Sequence, residues 1–178
     1  MSEHTIIRPA SMADLPAACA FHRELIIALE ALPYHPRWTL DEYPAEPFLR
    51  ESIEEGSLYI ATVDGNLAAA VVINTACHPG YHEATTWKLP LKPGEFMVIH
   101  ALGVGMNYQH RGLATRLIDK AFELARAQGL KAVRLDLIDH NYPLEPLYLR
   151  YGFTPCGTQP MYHESIGTAL FYLYEKEV

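Results

Sequence analysis

The 178-residue sequence lacks the features that mark secreted, membrane-spanning and nucleic-acid-binding proteins. Its three cysteines, at 19, 77 and 156, are an odd number without a CxxC pair, which favours reduced thiols in the cytoplasm over a disulfide framework. No apolar run approaches the roughly 20 residues that span a bilayer, and the N-terminal residues lack the apolar core of a signal peptide. Lys and Arg total 14 against 21 Asp and Glu, whereas nucleic-acid and anionic membrane surfaces need clustered positive charge. The composition therefore predicts a soluble, acidic, cytoplasmic protein that binds neither nucleic acid nor membranes.

The length and the apolar pattern predict one mixed α/β domain over residues 1–178. An Asp64-Gly65 step between two β-rich runs is a hairpin signal, because tight hairpin turns require left-handed backbone. The strongly apolar run Phe96–Val104 predicts a buried strand, in which Gly103 indicates a bulge or a close approach of another segment. Strands are predicted over residues 5–8, 58–63, 67–73, 96–104, 132–138 and 168–174, and helices over 15–29, 48–55, 113–128 and 143–151.

Two irregular segments are rich in aromatic residues, one around residues 34–43 and the other within residues 74–94. Such side chains can line a ligand pocket or seal the edge of a core, and the sequence does not decide between these alternatives. His78 and His82 are separated by Pro79-Gly80, so they cannot form a helical metal-binding pair, and no metal site is expected.

The most informative stretch is Gln109-His110-Arg111-Gly112-Leu113-Ala114, between a predicted buried strand and an amphipathic helix. The first N–H groups of a helix lack internal partners, and together with the helix dipole they form an anion site. Gly112 permits close approach of a ligand, and Arg111 adds a charged contact. Neither GxGxxG nor GxxxxGK[ST] occurs, which argues against dinucleotide and P-loop sites. The residues themselves therefore predict a phosphate-type ligand at the start of this helix.

This stretch and a second one resemble motifs of the GNAT family of N-acetyltransferases. The family's cofactor loop reads Q/R-x-x-G-x-G/A, which residues 109–114 match. Its later motif is an Asn, a short helix and L-Y-x-x-x-G-F, which Asn141 and residues 147–153 match. The resemblance implies the GNAT acyl-CoA N-acyltransferase fold, an α/β (α+β) architecture with a central, mixed, twisted sheet flanked by helices. In that fold a splayed pair of parallel strands holds the cofactor.

The resemblance also implies acetyl-CoA as cosubstrate and the way it lies on the protein. The backbone near the end of the 96–104 strand would hold the pantetheine arm, the loop and helix start would hold the pyrophosphate, and Asn141 would contact the cofactor near its thioester. The residues so implied are Leu102, Gly103 and Val104 for the arm and Gln109, His110, Arg111, Gly112, Leu113, Ala114 and Thr115 for the pyrophosphate.

Tyr148 lies at the motif position of the family's usual general acid. A tyrosine suits this role because a phenol with a pKa of about 10 is protonated at neutral pH and can donate its proton to the departing thiolate. The sequence indicates two candidates for the general base that removes a proton from the amine. His100 lies in a run similar to a strand of the arylalkylamine N-acetyltransferases, but Val98 stands where that subfamily has a second histidine. A buried structural histidine is an equal alternative. Glu95 is the other candidate, because many family members use a carboxylate nearby.

The leading hypothesis is an enzyme that transfers an acetyl group from acetyl-CoA to a small primary amine by direct attack. One alternative is an acetyltransferase of protein or peptide N-termini, and another is a CoA-binding regulatory module without turnover. A small amine is thus the expected partner, and a homodimer is compatible with this hypothesis but not required by it.

Overall fold

A computed structural model describes residues 4–34, 36–138 and 142–178 of the chain. Within these residues seven strands, one more than predicted, form one sheet in the order β1-β2-β3-β4-β5-β7-β6. The sheet is mixed and flanked by helices, as predicted. The strands are β1 (Thr5–Pro9), β2 (Leu58–Val63), β3 (Asn66–Asn74), β4 (Phe96–Val104), β5 (Ala132–Ile138), β6 (Thr154–His163) and β7 (Gly167–Glu177). The helices are α1 (Leu15–Glu30), α2 (Glu46–Glu54), α3 (Gly80–Glu83), α4 (Leu113–Ala127) and α5 (Glu145–Tyr151). No helix among the described residues is long and apolar enough to cross a membrane.

The sheet is mixed because β2 and β3 pair in antiparallel orientation, whereas β4 and β5 pair in parallel. Asp64 and Gly65 have φ of 48° and 85°, the left-handed conformations that a two-residue hairpin turn requires. The β4 and β5 strands run in parallel, with a register from Phe96 opposite Ala132 to Val98 opposite Arg134. Beyond that register, Ala101 has a φ of 49°, which interrupts the extended backbone of β4.

The described chain divides into two compact units, and the first contains β1–β3, α1, α2, the end of β4 and the start of α4. Its core packs apolar residues of α1 and α2 against β2 and β3. His22 lies in this core on α1, and its Nδ1 is 2.8 Å from the Ala18 carbonyl oxygen. Because a carbonyl only accepts, Nδ1 carries the ring proton, and burial lowers the pKa of His22.

The second unit contains β5–β7, α3, α5, the start of β4 and the segment of residues 74–94. Its core includes apolar side chains from that segment, among them Tyr81 and Leu89, together with residues of β4, β5, β6 and β7. The segment is therefore built into the unit and is not a loose connection.

Strand β6 is not predicted from the sequence. It carries Pro155 and Pro160 and lies at one end of the strand order, where a missing N–H donor is tolerated. It pairs with β7 from Thr154 opposite Glu175 to His163 opposite Gly167, with a register shift between Pro155 and Thr158. The two prolines are therefore compatible with an edge strand.

Candidate functional site

The junction between β4 and α4, in the first unit, has backbone donors that precede the helical hydrogen bonds, where the sequence predicts an anion site. After a 3-10 turn at Met106–Tyr108, the chain passes through left-handed conformations at His110 (φ 61°) and Gly112 (φ 75°). The first backbone hydrogen bond of α4 joins Arg116 N–H to Gly112 O at 3.1 Å. The N–H groups at 113–115 therefore precede the helical bonding pattern and are available to an anion.

Side chains around this junction leave its outer face open. His110, Arg111, Gly112 and Thr115 are exposed, whereas Leu113 is buried and anchors the helix start. A Cβ placed on Gly112 would meet no atom within 4 Å, so the space beside its backbone is free.

The exposed side chain of Arg111 contacts its own loop. Its guanidinium donates to Asn107 O at 2.9 Å and lies 5.4 Å from the ring centre of Tyr108. These contacts keep the guanidinium on the loop that leads into α4, where a positive charge adds to the attraction for a phosphate.

The end of β4 is closely packed on the face that carries α1. A Cβ on Gly103 would lie 2.6 Å from Leu25 Cδ2 and 3.4 Å from Trp38 Cη2. The predicted close approach at Gly103 is therefore present, and the irregular backbone belongs to Ala101. Leu102 is buried and Val104 is half-buried, and the hydrogen bonds that these residues would offer to a pantetheine arm stay a prediction.

The two predicted bases occupy different surroundings. His100 is half-buried on β4, directly before the left-handed residue Ala101. Glu95 precedes β4, and its carboxylate accepts from Lys131 Nζ at 2.5 Å and from the Lys92 N–H at 2.8 Å. These contacts lower the pKa of Glu95, the Lys131 hydrogen bond being the largest cause. A carboxylate with a lowered pKa is a weaker base, so these contacts favour an anchoring role for Glu95 at the start of the strand.

Tyr148 is buried in the second unit on the short helix α5. Its ring packs against those of Phe153 and Tyr174, at 5.8 and 6.5 Å between centroids. Gly152, with φ of 100°, ends the helix, and its N–H donates to Tyr148 O at 3.1 Å. Burial, and secondarily the charge of Asp136, raise the pKa of Tyr148. The phenol therefore keeps its proton at neutral pH.

Asp136 and Tyr81 are not identified from the sequence, and the structure brings them together in the second unit. The Tyr81 hydroxyl, which comes from α3, donates to Asp136 Oδ2 at 2.7 Å. A signal for Asp136 is present in the sequence, since a carboxylate interrupts the apolar strand Ala132–Ile138. Nothing in the sequence indicates Tyr81 as its partner, because 55 residues separate the two.

Tyr81 and Trp87, two aromatic residues of the 74–94 segment, make contacts within the second unit. Tyr81 is 2% exposed, and its carbonyl accepts from Trp87 Nε1 at 2.8 Å. The Arg134 guanidinium lies 4.1 Å from the Trp87 ring centre. Of the two alternatives for this segment, a pocket or a sealed core edge, these contacts favour the second.

Asn141 lies outside the described residues. Among the residues that are described, no group of three His, Cys, Asp or Glu side chains could hold a metal ion. His78 is engaged by the backbone: its Nδ1 accepts from the Gly80 N–H at 3.0 Å and its Nε2 lies 2.8 Å from Tyr162 O. The functional roles given to Tyr148 and to the β4–α4 junction stay predictions.

The model of the acetyltransferase (GNAT) family matches residues 17–153. The chain belongs to this family. Over 64 residues it is 38% identical to a mycothiol acetyltransferase of Beutenbergia cavernae, a match that covers 36% of this chain and 22% of the relative. The matched part is thus about a fifth of the length of that curated relative.

Solved structures of similar fold are numerous, and they include the following two, which span nearly the whole chain. A PaiA N-acetyltransferase of Thermoplasma acidophilum, in complex with coenzyme A, has a TM-score of 0.70 at 17% identity, with 100% of both chains covered. A ribosomal-protein-alanine N-acetyltransferase of Brucella melitensis has a TM-score of 0.68 at 20% identity, with 97% of this chain and 99% of that chain covered. At these identities the likeness shows the fold, which is that of the GNAT acetyltransferases.

Proposed function

We propose that this GNAT protein transfers the acetyl group of acetyl-CoA to a small primary amine, with Tyr148 supplying a proton to the departing thiolate. The observation that carries the proposal is the open β4–α4 junction, where N–H groups that precede the helical hydrogen bonds and the guanidinium of Arg111 suit the pyrophosphate of a coenzyme. The coenzyme A complex of the Thermoplasma relative supports a CoA-type ligand for this fold. We expect soluble, cytoplasmic protein in reduced form, since its cysteines are free.

The site does not need a basic protein surface to hold a polyanion. Three backbone N–H groups and one arginine act within a few ångströms of the ligand, whereas the net charge of −7 is spread over the whole chain. Exposed charges separated by more than about 8–10 Å are largely screened at physiological salt.

The raised pKa of Tyr148 shapes its proposed role. A thiol has an ordinary pKa of about 8.5, so a phenol of higher pKa would lose its proton to a thiolate unfavourably if it acted alone. The nitrogen that has attacked the thioester carries a surplus proton. A phenol that accepts this proton while it gives its own to sulfur stays neutral throughout, and we propose that Tyr148 acts as such a relay.

Proton removal from the amine before attack is assigned to solvent, assisted by His100. An alkyl ammonium has a pKa near 10.4 and must lose a proton before its nitrogen can attack. An imidazole with an ordinary pKa near 6.5 is neutral at pH 7 and can accept through a water. Glu95 is the less suited candidate, because its carboxylate is paired with Lys131.

Release of coenzyme A tests the proposal. The reduced protein is incubated with acetyl-CoA and a panel of small primary amines and short peptides, and new thiol is measured against a reaction without acceptor, which corrects for the protein's three cysteines. Release that depends on small amines supports the proposal. Release with peptides alone favours an N-terminal acetyltransferase, and binding of CoA without any release favours the regulatory module.

Substitution Arg111→Gln tests the anion site separately from chemistry. Hydrogen bonds to charged groups contribute about 1.5–3 kcal/mol, so we expect the Kd for coenzyme A to rise about 10- to 100-fold by calorimetry. Arg126→Gln, near the other end of α4, is the matched control and is expected to bind as the wild type does. Equal affinities for both variants would remove Arg111 from the cofactor site.

A further inference from the structure

His78 joins α3 to the β6–β7 hairpin, within the second unit, through both nitrogens of its ring. Its Nδ1 accepts from the Gly80 N–H at 3.0 Å, at the start of α3, and its Nε2 lies 2.8 Å from Tyr162 O on β6. Because a carbonyl only accepts and an N–H only donates, Nε2 carries the ring proton and Nδ1 offers a lone pair. The two hydrogen bonds therefore exist together only while the ring is neutral.

A second histidine lies against the same ring. His163, the last residue of β6, stacks on His78 with 4.9 Å between the ring centroids and 27° between the ring planes. The His163 ring also packs against Phe171 of β7, at 5.2 Å between centroids. Burial, and next the charge of His78, lower the pKa of His163. Two neutral imidazoles stack as other flat rings do, whereas two imidazolium rings at this distance repel each other.

The two hydrogen bonds of His78 and its stacking on His163, together called the histidine contact, lie where α3 packs closely on β6. A Cβ on Gly80 would be 2.7 Å from Met161 Cγ, so the helix backbone rests directly on that side chain. The contact joins positions 84 residues apart, at His78 and Tyr162. A change in the charge of His78 therefore acts on how α3 is held against the hairpin.

The other titratable groups of the elements that meet here form no pair with either histidine. They are Cys77, Tyr81, His82 and Glu83 in and before α3, and Tyr162 and Glu164 at the end of β6 and after it. His82 Nε2 lies 3.5 Å from Cys77 Sγ, and from β7 the uncharged ring of Phe171 faces His163. In the part of the chain that the structure describes, neither glutamate forms a hydrogen bond or ion pair with His78 or His163. A proton gained by these rings is thus not compensated by a paired carboxylate.

Independently of the proposed function, we propose that the histidine contact is a pH-sensitive switch that holds α3 on the β6–β7 hairpin while both rings are neutral and releases it when they take up protons. Protonation of His78 turns Nδ1 into a donor that faces the Gly80 N–H, so this hydrogen bond is lost. Protonation of His163 as well adds repulsion between the stacked rings. Residues 78–83 then loosen without any ligand being bound.

The pH range of the switch follows from the ordinary histidine pKa of about 6.5. The pKa of His163 is lowered in the folded chain, so the unfolded chain takes up this proton first as the pH falls. The contribution of the contact to stability is therefore complete above about pH 6.5 and is lost as the pH falls below that value.

Hydrogen exchange at the start of α3 tests the switch. The protection factor of the Gly80 amide, which corrects for the intrinsic effect of pH on exchange, is measured by NMR between about pH 7.5 and pH 5. Loss of one hydrogen bond corresponds to a factor of about 2–10, and ring repulsion adds to it, so we expect protection to fall about 10-fold in acid. The amides of β5 and β7 are the internal reference and should keep their protection.

Three variants assign the effect to particular rings. His78→Gln replaces the imidazole with a neutral amide that can accept and donate, so its Gly80 protection should not change over this pH range. His163→Phe keeps a stacked ring without a charge and should retain only part of the fall. His82→Gln, on the same helix, is the matched control and should show the full fall of the wild type.

Constant protection of Gly80 in the wild type, or an equal fall in His78→Gln, overturns the switch. A fall that extends equally to β5 and β7 assigns the effect to global unfolding and overturns it as well. Should His78→Gln fail to fold, the ring-nitrogen chemical shifts of wild-type His78 decide, because the switch requires a proton on Nε2 alone at neutral pH and on both nitrogens where protection is lost. No coenzyme or amine enters these measurements, so their failure leaves the proposed acetyl transfer untouched.

Discussion

Substitution Tyr148→Phe is expected to lower kcat by about 100-fold or more while the affinity for coenzyme A stays unchanged. Proton transfer by a positioned side chain contributes typically 10²–10⁴-fold, and phenylalanine removes only the hydroxyl. The ring contacts with Phe153 and Tyr174 are retained, so the fold should be preserved. Single-turnover thiol release, with coenzyme A affinity measured in parallel, gives the two quantities.

Tyr151→Phe is the matched control, because Tyr151 lies on the same helix and packs on Phe122. We expect its turnover to stay within a few-fold of the wild type. The raised pKa of Tyr148 further predicts that kcat of the wild type does not fall between pH 8 and 10 through loss of its proton. Undiminished turnover in Tyr148→Phe would contradict the relay while leaving acetyl transfer itself untouched.

Substitution Arg134→Met is expected to have the largest effect on stability, about 3–5 kcal/mol. Arg134 and Glu175 are 2% and 3% exposed, and removal of one member of a buried ion pair leaves the other charge uncompensated. The guanidinium also donates to Leu89 O at 2.8 Å and lies between the rings of Trp87 and Phe96. Because whole domains are stable by only about 5–15 kcal/mol, the variant should unfold at a much lower urea concentration.

Two further variants show which part of the arrangement matters. Arg134→Lys keeps the charge and loses the planar fork, so an intermediate loss is expected. Arg50→Met is the surface control, since Arg50 and its partner Glu46 are both exposed and such pairs contribute about 0–1 kcal/mol. If Arg134→Met cost no more than Arg50→Met, the buried pair would be energetically neutral and the anchoring of the 74–94 segment would have another origin.

The sequence predicts the parts of the fold that depend on local pattern. The bounds of β4 and β5 agree with the apolar runs, and α4 begins at Leu113, directly after the left-handed Gly112. Edge strand β6 escapes prediction because Pro155 and Pro160 remove the alternation that marks a strand. The local sequence pattern does not distinguish a proline-rich loop from an edge strand, which pairs with a neighbouring strand on one side only.

The features of the candidate site also fall into those that local sequence predicts and those that depend on distant residues. The backbone donors of the β4–α4 junction follow from the order of strand, glycine and helix, which is local. The partners of Arg134 and Asp136 lie 41 and 55 residues away, at Glu175 and Tyr81. No periodicity links such distant positions, so the ion pair and the phenol–carboxylate bond come only from the three-dimensional structure.

The two backbone hydrogen bonds of Leu89 have a consequence for hydrogen exchange in the second unit. Its N–H donates to Glu175 Oε1 at 3.0 Å, and its carbonyl accepts from Arg134. An amide bonded to a buried carboxylate exchanges with solvent only when the surrounding cooperative unit unfolds. The exchange rate of the Leu89 amide in heavy water would therefore report the free energy of unfolding of β5 and β7. A residue directly before a proline, in an irregular segment, would then be among the slowly exchanging positions of the second unit.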